Sequence, residues 1–183
     1  MTQRPLVIVD RDGVVNEDSA EYIKSVAEWQ PVPGSLEALA ALHRGGFDVA
    51  VVTNQSGVAR GLFSQATLEA IHERMRAAVE AAGGRLAAVH YCPHLPTDGC
   101  DCRKPRVGLL RALEHERGTP LVGVPFVGDR LSDIDAAVAV GARPLLVRTG
   151  SGAATEHALG GRRVEVFDDL AAAAAAILEE RTR

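Results

Sequence analysis

The sequence has no excess of positive charge, and this absence narrows the partners that the protein can bind. Its 20 lysines and arginines stand against 24 aspartates and glutamates, which gives a formal net charge of −4. Proteins that bind nucleic acid generally present a basic face, so we expect no nucleic-acid partner. An anionic small molecule remains compatible with this charge if basic residues are concentrated at one site.

Long hydrophobic runs are also missing. A helix that crosses a bilayer needs about 20 consecutive apolar residues, and no stretch of this sequence approaches that length. The opening residues, MTQRPLVIVD, contain a short apolar run without the h-region and cleavage site of a signal peptide. We therefore expect a soluble, cytoplasmic protein with no membrane partner.

Cysteine is scarce, and its distribution predicts a metal site. Cys92, Cys100 and Cys102 form an odd, tightly clustered set that makes a poor disulfide framework. With His94 they give the pattern C-x-H, five residues, C-x-C, whose three thiolates and one imidazole would fill a tetrahedral zinc shell. A structural zinc ion is therefore expected in a loop at about 92–102. The alternatives are a redox pair or simple buried thiols.

The residues that are present favour a globular α/β protein. Hydrophobic residues make up 46% of the 183 positions, and this length suits one domain, 1–183. Nearly continuous runs of Val, Ile and Leu, typical of strands covered on both faces, alternate with helical patterns. The predicted strands are Leu6–Val9, Val49–Val52, Ala87–His90, Phe126–Val127, Pro144–Val147 and Val164–Val166. The predicted helices are Ser35–His43, Gln65–Ala82, Val107–Arg117, Ser132–Val140 and Leu170–Arg181, with SGAATEHALGG interpreted as a connector. The pattern predicts a doubly wound, Rossmann-like parallel sheet with helices on both faces and no large cap domain.

Chemically active residues follow three of the predicted strands. They are Asp10 and Asp12, Thr53 and Asn54, and Asp129. Ligands of doubly wound sheets bind beyond the carboxyl ends of the strands, so we expect these side chains to converge. Asp133, one turn into the next helix, would face back towards Asp129. Clustered carboxylates repel one another unless a cation neutralises them, and oxygen ligands favour magnesium.

A lone D-x-D after a strand is more often a turn or a helix cap than a catalytic site. Here four segments, DRDGVVN, VVTNQSG, CRKP and VGDRLSD, occur in one order over nearly the whole chain. In order and spacing they resemble the haloacid dehalogenase superfamily of aspartyl phosphatases. That resemblance implies a magnesium-dependent phosphatase.

Residue roles follow from the resemblance. Asp10 would attack phosphorus and form an aspartyl-phosphate, and Asp12 would act as general acid and then as general base. Thr53 and Lys104 would hold the transferring phosphoryl oxygens. Magnesium would bind Asp10, the main-chain carbonyl of Asp12, and Asp129, and Asp133 would support these ligands from behind.

Two branches of the superfamily carry such a zinc loop, one acting on a heptose bisphosphate and one on histidinol phosphate. The segments TNQSGVARGLFS and EYIKSVAEWQPVPGS are similar to the heptose branch, whereas the compact zinc loop is similar to both. We therefore expect a small phosphorylated sugar as substrate, with histidinol phosphate as the alternative, and a monomeric enzyme.

Candidate substrate contacts lie around the predicted centre. They are Arg11, Asp18, Tyr22, Asn54, Gln55, Ser56, Arg103 and Arg130. A second phosphate must be met outside the magnesium site, and arginine binds phosphate bidentately. Arg103 is the favoured contact because it adjoins Lys104, and Arg60 lies in the same motif region as Asn54. The zinc loop runs directly into Arg103 and Lys104, so zinc would hold both cations over the substrate.

An alternative of another class is a receiver-like signalling domain, which also gathers an acceptor aspartate, an acidic pair, a threonine and a lysine on a doubly wound sheet. Its long-lived aspartyl-phosphate is the signal. Asp12 favours the enzyme, because an acid/base two residues beyond Asp10 would speed hydrolysis of the intermediate.

Overall fold

The computed structural model describes residues 3–182, which form a six-stranded sheet with all strands parallel. The strands are β1 (Leu6–Val9), β2 (Asp48–Asn54), β3 (Ala88–Cys92), β4 (Pro125–Gly128), β5 (Arg143–Val147) and β6 (Glu165–Phe167). The helices are α1 (Ser35–Arg44), α2 (Gln65–Ala81), α3 (Gly108–Arg117), α4 (Leu131–Ala139), α5 (Gly152–His157) and α6 (Leu170–Arg181), with a short 3-10 turn at Val26–Glu28. The strand order β3-β2-β1-β4-β5-β6 confirms the predicted doubly wound fold.

Helices cover both faces of the sheet. In β1, Val7 and Val9 join the core on one face, whereas Leu6 and Ile8 join the core on the other, because successive strand residues point to opposite sides. The first core includes apolar residues of α1, α2 and α6, and the second includes those of α3 and α4. Burial on both faces explains why the strands have no polar alternation.

The sequence prediction was wrong about the segment SGAATEHALGG, which contains α5 rather than only a connector. A side chain at Gly152 would collide with the carbonyl oxygen of Val147 at the end of β5. The glycine therefore permits α5 to begin directly against the sheet. Glycine occurs both in flexible links and where two backbone segments pack closely, and composition alone does not distinguish these two roles.

Helix α2 begins where the sequence predicts. The hydroxyl of Ser64 accepts a hydrogen bond from the backbone N–H of Thr67 at 3.0 Å, an N-cap interaction. Among residues 3–182, no helix combines the length and the apolar character needed to cross a membrane.

Candidate active site

A cavity of about 570 Å³ opens at the carboxyl ends of β1, β2 and β4, the edge at which the sequence predicts a site. Its lining residues are Asp10, Asp12, Asp18, Ser19, Ala20, Tyr22, Ile23, Thr53, Asn54, Gln55, Ser56, Arg103, Lys104, Arg130, Ser132, Asp133 and Ser151. The parallel strands thus bring together residues that lie far apart in sequence. Of the predicted site residues outside the zinc loop, Arg11 and Asp129 are not part of this lining.

Lys104 lies at the floor of the cavity, where it links two carboxylates. Its Nζ is 2.9 Å from Oδ1 of Asp10 and 2.7 Å from Oδ1 of Asp133, and it donates to the carbonyl of Val52 at 2.6 Å. Although burial alone would lower the pKa of Lys104, the two carboxylates raise it above its ordinary value. The ammonium group therefore stays charged and fixed beside Asp10.

Asp10, Asp129 and Asp133 together offer a candidate cation site. Each supplies a carboxylate oxygen, and these oxygens lie within 4.8 Å of one another. Oδ2 of Asp129 accepts a hydrogen bond from the N–H of Ser151 at 2.8 Å, whereas its buried Oδ1 has no hydrogen-bond partner among residues 3–182. A buried carboxylate oxygen without a donor is the expected state of a ligand that a cation would satisfy.

The electrostatics of the cluster point in the same direction. Burial raises the pKa of Asp10 to about 6, against the opposing charge of Lys104. Burial, together with the charges of Asp10 and Asp133, raises the pKa of Asp129 to about 8. One lysine therefore does not neutralise the three carboxylates. A hard divalent cation, which prefers oxygen ligands, would supply the missing positive charge.

Asp12 differs from its neighbours because several donors surround it. Its carboxylate accepts hydrogen bonds from Arg11, from Asn16 at 2.8 Å and from Gln55 at 2.6 Å. Burial alone would raise the pKa of Asp12, but the Arg11 charge and these hydrogen bonds outweigh burial and lower it. The side chain is thus held in one orientation at the wall of the cavity.

Asn54 and Gln55 line the cavity, but their amides bind protein groups. Asn54 donates to the carbonyl of Lys104 at 3.1 Å and accepts from its N–H at 3.0 Å. Gln55 donates to Asp12 and to Thr53 Oγ1 at 3.0 Å, and it accepts from Arg11 at 3.0 Å. In this geometry both side chains position catalytic candidates, a role that the sequence did not predict for them. Their direct contact with substrate stays a prediction.

The side chain of Arg11 is also oriented differently from the prediction. It is 1% exposed and turns beneath Asp12 into the protein, where it binds Asp12, Gln55 and His72. A buried guanidinium in this position cannot touch a ligand in the cavity. Its strand-end neighbours face the cavity, and alternation along the chain places the intervening side chain on the other side.

The rim of the cavity carries the remaining predicted contacts. Arg130 Nη2 binds Oδ2 of Asp18 at 2.6 Å, and Tyr22 has a left-handed backbone with φ of 63°. The guanidinium of Arg60 lies 5.9 Å from the centre of the Tyr22 ring. Arg103 donates to the carbonyl of His94 at 3.3 Å, which ties the rim to the cysteine loop.

The cysteine cluster is assembled as the sequence predicts. Cys92 Sγ lies 3.0 Å from Cys102 Sγ and 3.6 Å from Cys100 Sγ, and His94 Nδ1 lies 3.1 Å from Cys102 Sγ. Tetrahedral zinc with Zn–S bonds of about 2.3 Å separates its ligands by about 3.8 Å, so these groups fit one ion. Burial raises the pKa of Cys92 to about 12, and a bound cation would reverse this effect.

Sequence reasoning missed three residues around Asp12. Trp29 donates from Nε1 to Oδ1 of Asn16 at 3.0 Å, and Asn16 donates to Asp12. Asn16 ends the DRDGVVN segment, so its place in the motif was the available signal. The third missed residue, His72, gives no sequence signal because it resembles any histidine on a helix.

Comparison with protein families gives two overlapping matches. A model described as polynucleotide kinase 3 phosphatase matches residues 7–135. A model described as HAD-hydrolase-like matches residues 101–173. The two together span every residue placed in the cavity and the cysteine cluster.

Comparison with individual proteins gives relatives that share most of their length with this chain. The D-glycero-beta-D-manno-heptose-1,7-bisphosphate 7-phosphatase of Pseudomonas putida is 53% identical, covering 92% of this chain and 97% of the relative. The enzyme of the same name from Pseudomonas aeruginosa is 51% identical, covering 96% and 99%.

Solved structures agree with these relatives. A crystal structure of D,D-heptose 1,7-bisphosphate phosphatase from Bordetella bronchiseptica, complexed with magnesium and phosphate, is 49% identical with a TM-score of 0.92, covering 96% of this chain and 99% of that chain. The corresponding structure from Burkholderia thailandensis is 40% identical with a TM-score of 0.76, covering 96% and 99%. The chain therefore belongs to the HAD-like phosphoric monoester hydrolases and, within them, to the heptose-1,7-bisphosphate 7-phosphatase family.

Proposed function

We propose that this enzyme hydrolyses the 7-phosphate of D-glycero-β-D-manno-heptose 1,7-bisphosphate and releases the heptose 1-phosphate. The names of relatives with about half of their residues identical support this substrate and its anomer. The convergence of Asp10, Lys104 and two further carboxylates at the floor of one cavity supports the chemistry.

Asp10 acts as the nucleophile in the first step. One of its oxygens bonds to phosphorus as the bond between phosphorus and the C7 oxygen breaks, which gives an aspartyl-phosphate. Lys104, fixed 2.9 Å from Asp10, neutralises the phosphoryl oxygens, and the hydroxyl of Thr53 orients them by donating a hydrogen bond. Asp10, the carbonyl of Asp12, and Asp129 would hold a magnesium ion, which would supply positive charge to the phosphoryl group and lower the repulsion between it and the carboxylates.

Asp12 moves the protons in both steps. In the first it gives a proton to the departing C7 oxygen, and the negative phosphate beside it favours the protonated form. In the second it removes a proton from the water that attacks phosphorus. The bond between phosphorus and Asp10 then breaks, which releases inorganic phosphate and restores the carboxylate.

The 1-phosphate binds at the rim of the cavity. Arg103 and Arg130 line the cavity above the carboxylates, and guanidinium groups bind phosphate bidentately. Arg130 pairs with Asp18 at 2.6 Å, so substrate would compete with this carboxylate for the arginine. Tyr22, which also lines the cavity, contacts the sugar in this proposal.

We further propose a cytoplasmic, one-domain monomer that supplies heptose 1-phosphate for nucleotide-activated heptose in lipopolysaccharide core synthesis. Three zinc-binding thiolates suit a reducing compartment. A solution mass of about twice 19.3 kDa by light scattering would contradict the monomer.

Phosphate release tests the proposed function. Purified enzyme with magnesium is given both anomers of heptose 1,7-bisphosphate and, separately, histidinol phosphate, and the product is identified by NMR. We expect the β-anomer to have the highest kcat/KM and to lose its 7-phosphate. Faster turnover of histidinol phosphate would overturn the substrate assignment.

The nucleophile is tested by Asp10→Asn, with thermal denaturation as the control for folding. We expect this variant to lose all measurable turnover because an amide oxygen is a far weaker nucleophile. Appreciable residual activity in a folded variant would remove Asp10 from this role.

A further inference from the structure

His72 lies on α2, outside the cavity lining, yet it reaches the catalytic cluster through one hydrogen bond. It is 3% exposed, and its Nε2 is 3.1 Å from Nη1 of Arg11. The guanidinium of Arg11 has only donors, so Nε2 must accept this hydrogen bond and the ring proton resides on Nδ1. The ring also packs against Tyr91, with centroids 5.4 Å apart.

The surroundings keep this imidazole uncharged. Burial lowers the pKa of His72 to about 3, and the positive charges of Arg11 and Arg76 act in the same direction, whereas Asp12 opposes them. His72 therefore offers an uncharged acceptor at neutral pH.

Arg11 joins this acceptor to Asp12. Its Nη1 donates to His72, whereas Nε and Nη2 donate to Oδ1 of Asp12 at 3.0 and 2.8 Å. Nη2 also donates to Gln55, which in turn donates to Asp12. A planar guanidinium held at both ends has little rotational freedom, so the position of Nη1 determines the angle at which the opposite edge meets the carboxylate.

We propose that His72 is a positioning residue, whose imidazole fixes the Arg11 guanidinium and thereby orients Asp12 for proton transfer to the leaving oxygen. This inference rests on the proposed function, because it requires Asp12 to be the general acid. General acids act only within hydrogen-bond reach and with correct alignment. Loss of the imidazole should consequently lower the rate most for substrates whose leaving oxygen must be protonated.

The experiment compares two leaving groups in variants of His72. p-Nitrophenyl phosphate loses a stable phenolate without a proton, whereas the heptose alkoxide must be protonated as it leaves. The measured quantity is kcat/KM, which covers only the steps up to formation of the aspartyl-phosphate when that step is irreversible. Later hydrolysis of the intermediate, common to both substrates, does not enter it.

The variants separate the acceptor from the bulk of the ring. His72→Phe keeps an aromatic ring without an acceptor, and His72→Asn keeps a polar side chain too short to reach Nη1. His72→Gln places an amide oxygen near the position of Nε2 and should restore the wild-type pattern. Arg74→Gln, an exposed change on the same helix, is the matched control and should leave both substrates unaffected.

We expect His72→Phe and His72→Asn to lower kcat/KM for the heptose bisphosphate by about 10- to 100-fold, part of the factor that a general acid contributes. For p-nitrophenyl phosphate the decrease should stay below about threefold by the same reasoning. Equal losses on the two substrates, or no loss on either, would overturn the role of His72. A wild-type enzyme that releases no phosphate from the heptose bisphosphate would instead refute the proposed function.

Discussion

At the scale of single residues, the site depends on amides that hold charged groups in place. Lysine has a flexible stem, so a buried ammonium acts as a fixed partner only if its backbone is fixed too. Asn54 achieves this by pairing with both the N–H and the carbonyl of Lys104. Asn54 and Lys104 are 50 positions apart in sequence, and the pair joins the end of β2 to the loop before α3.

Replacing Asn54 by Ala should therefore misplace Lys104. We expect kcat to fall by about 10- to 100-fold, since small displacements of a catalytic group cost up to about 100-fold. We also expect a loss of about 1–3 kcal/mol in the free energy of unfolding, because two hydrogen-bonding groups of the backbone lose their partner. Steady-state kinetics and denaturant unfolding measure the two effects.

The exposed variant Gln65→Ala serves as the comparison, since the only side chain within 3–182 that the Gln65 amide binds is that of Glu69 on the surface of α2. An Asn54→Ala enzyme with unchanged kcat would show that Lys104 keeps its position without the two hydrogen bonds from Asn54.

At the scale of elements, the loop between β3 and α3 carries both the cysteine cluster and Lys104. Its proline and glycine residues give it little regular structure, and the four candidate metal ligands lie close together within it. Arg103 donates to the carbonyl of His94, itself a cluster residue. A bound zinc ion would thus stabilise the loop and, through it, the two cations.

Removal of zinc should weaken stability and activity together. We expect elemental analysis to find about one zinc ion per chain, the number that one tetrahedral site of four ligands holds. Cys102→Ser should lose this zinc, melt at a lower temperature and have a lower kcat with magnesium in excess. A zinc-free protein with full activity and unchanged melting temperature would contradict the coupling between the loop and the site.

The elements also show where sequence reasoning succeeds and where it stops. Runs such as LVIV in β1 predict buried strands because every residue is apolar. The ends of these strands then predict where the side chains of Asp10, Thr53 and Asp129 lie. Helix α5 was missed because the role of Gly152 depends on a carbonyl of β5. Likewise, the burial of Arg11 depends on His72 from a distant helix, and such pairings have no local pattern.

At the scale of the whole molecule, the fold concentrates negative charge that it does not neutralise by itself. The centre gathers three carboxylates around one lysine, and the pKa values of Asp10 and Asp129 are raised to about 6 and about 8. A carboxyl group whose pKa is raised on folding binds its proton more tightly in the folded state. Its contribution to stability therefore falls as pH rises from the unfolded pKa near 4 through the folded value.

Magnesium should compensate for this loss, and most strongly at high pH. We expect the melting temperature to rise more on adding magnesium at pH 8 than at pH 6, because protons compete with the metal for Asp10 and Asp129. Calorimetry in buffers of different ionisation enthalpy should show proton release at pH 7.

Differential scanning calorimetry at both pH values measures the shift, and zinc content is determined in each sample. Asp129→Asn is the control and should reduce the response to magnesium. An equal rise in melting temperature at pH 6 and pH 8 would show that these carboxyl groups are already ionised without the metal.

Trp29, the only tryptophan of the chain, is buried and donates its indole N–H to Asn16, which donates to Asp12. The emission of an indole responds to the charges near it, so the enzyme contains an intrinsic fluorescent reporter two hydrogen bonds from Asp12, the proposed acid/base residue. Titration with magnesium and phosphate should shift this emission, and Asn16→Ala should weaken the shift. Turnover could then be followed by the fluorescence of Trp29, without a label attached to the protein.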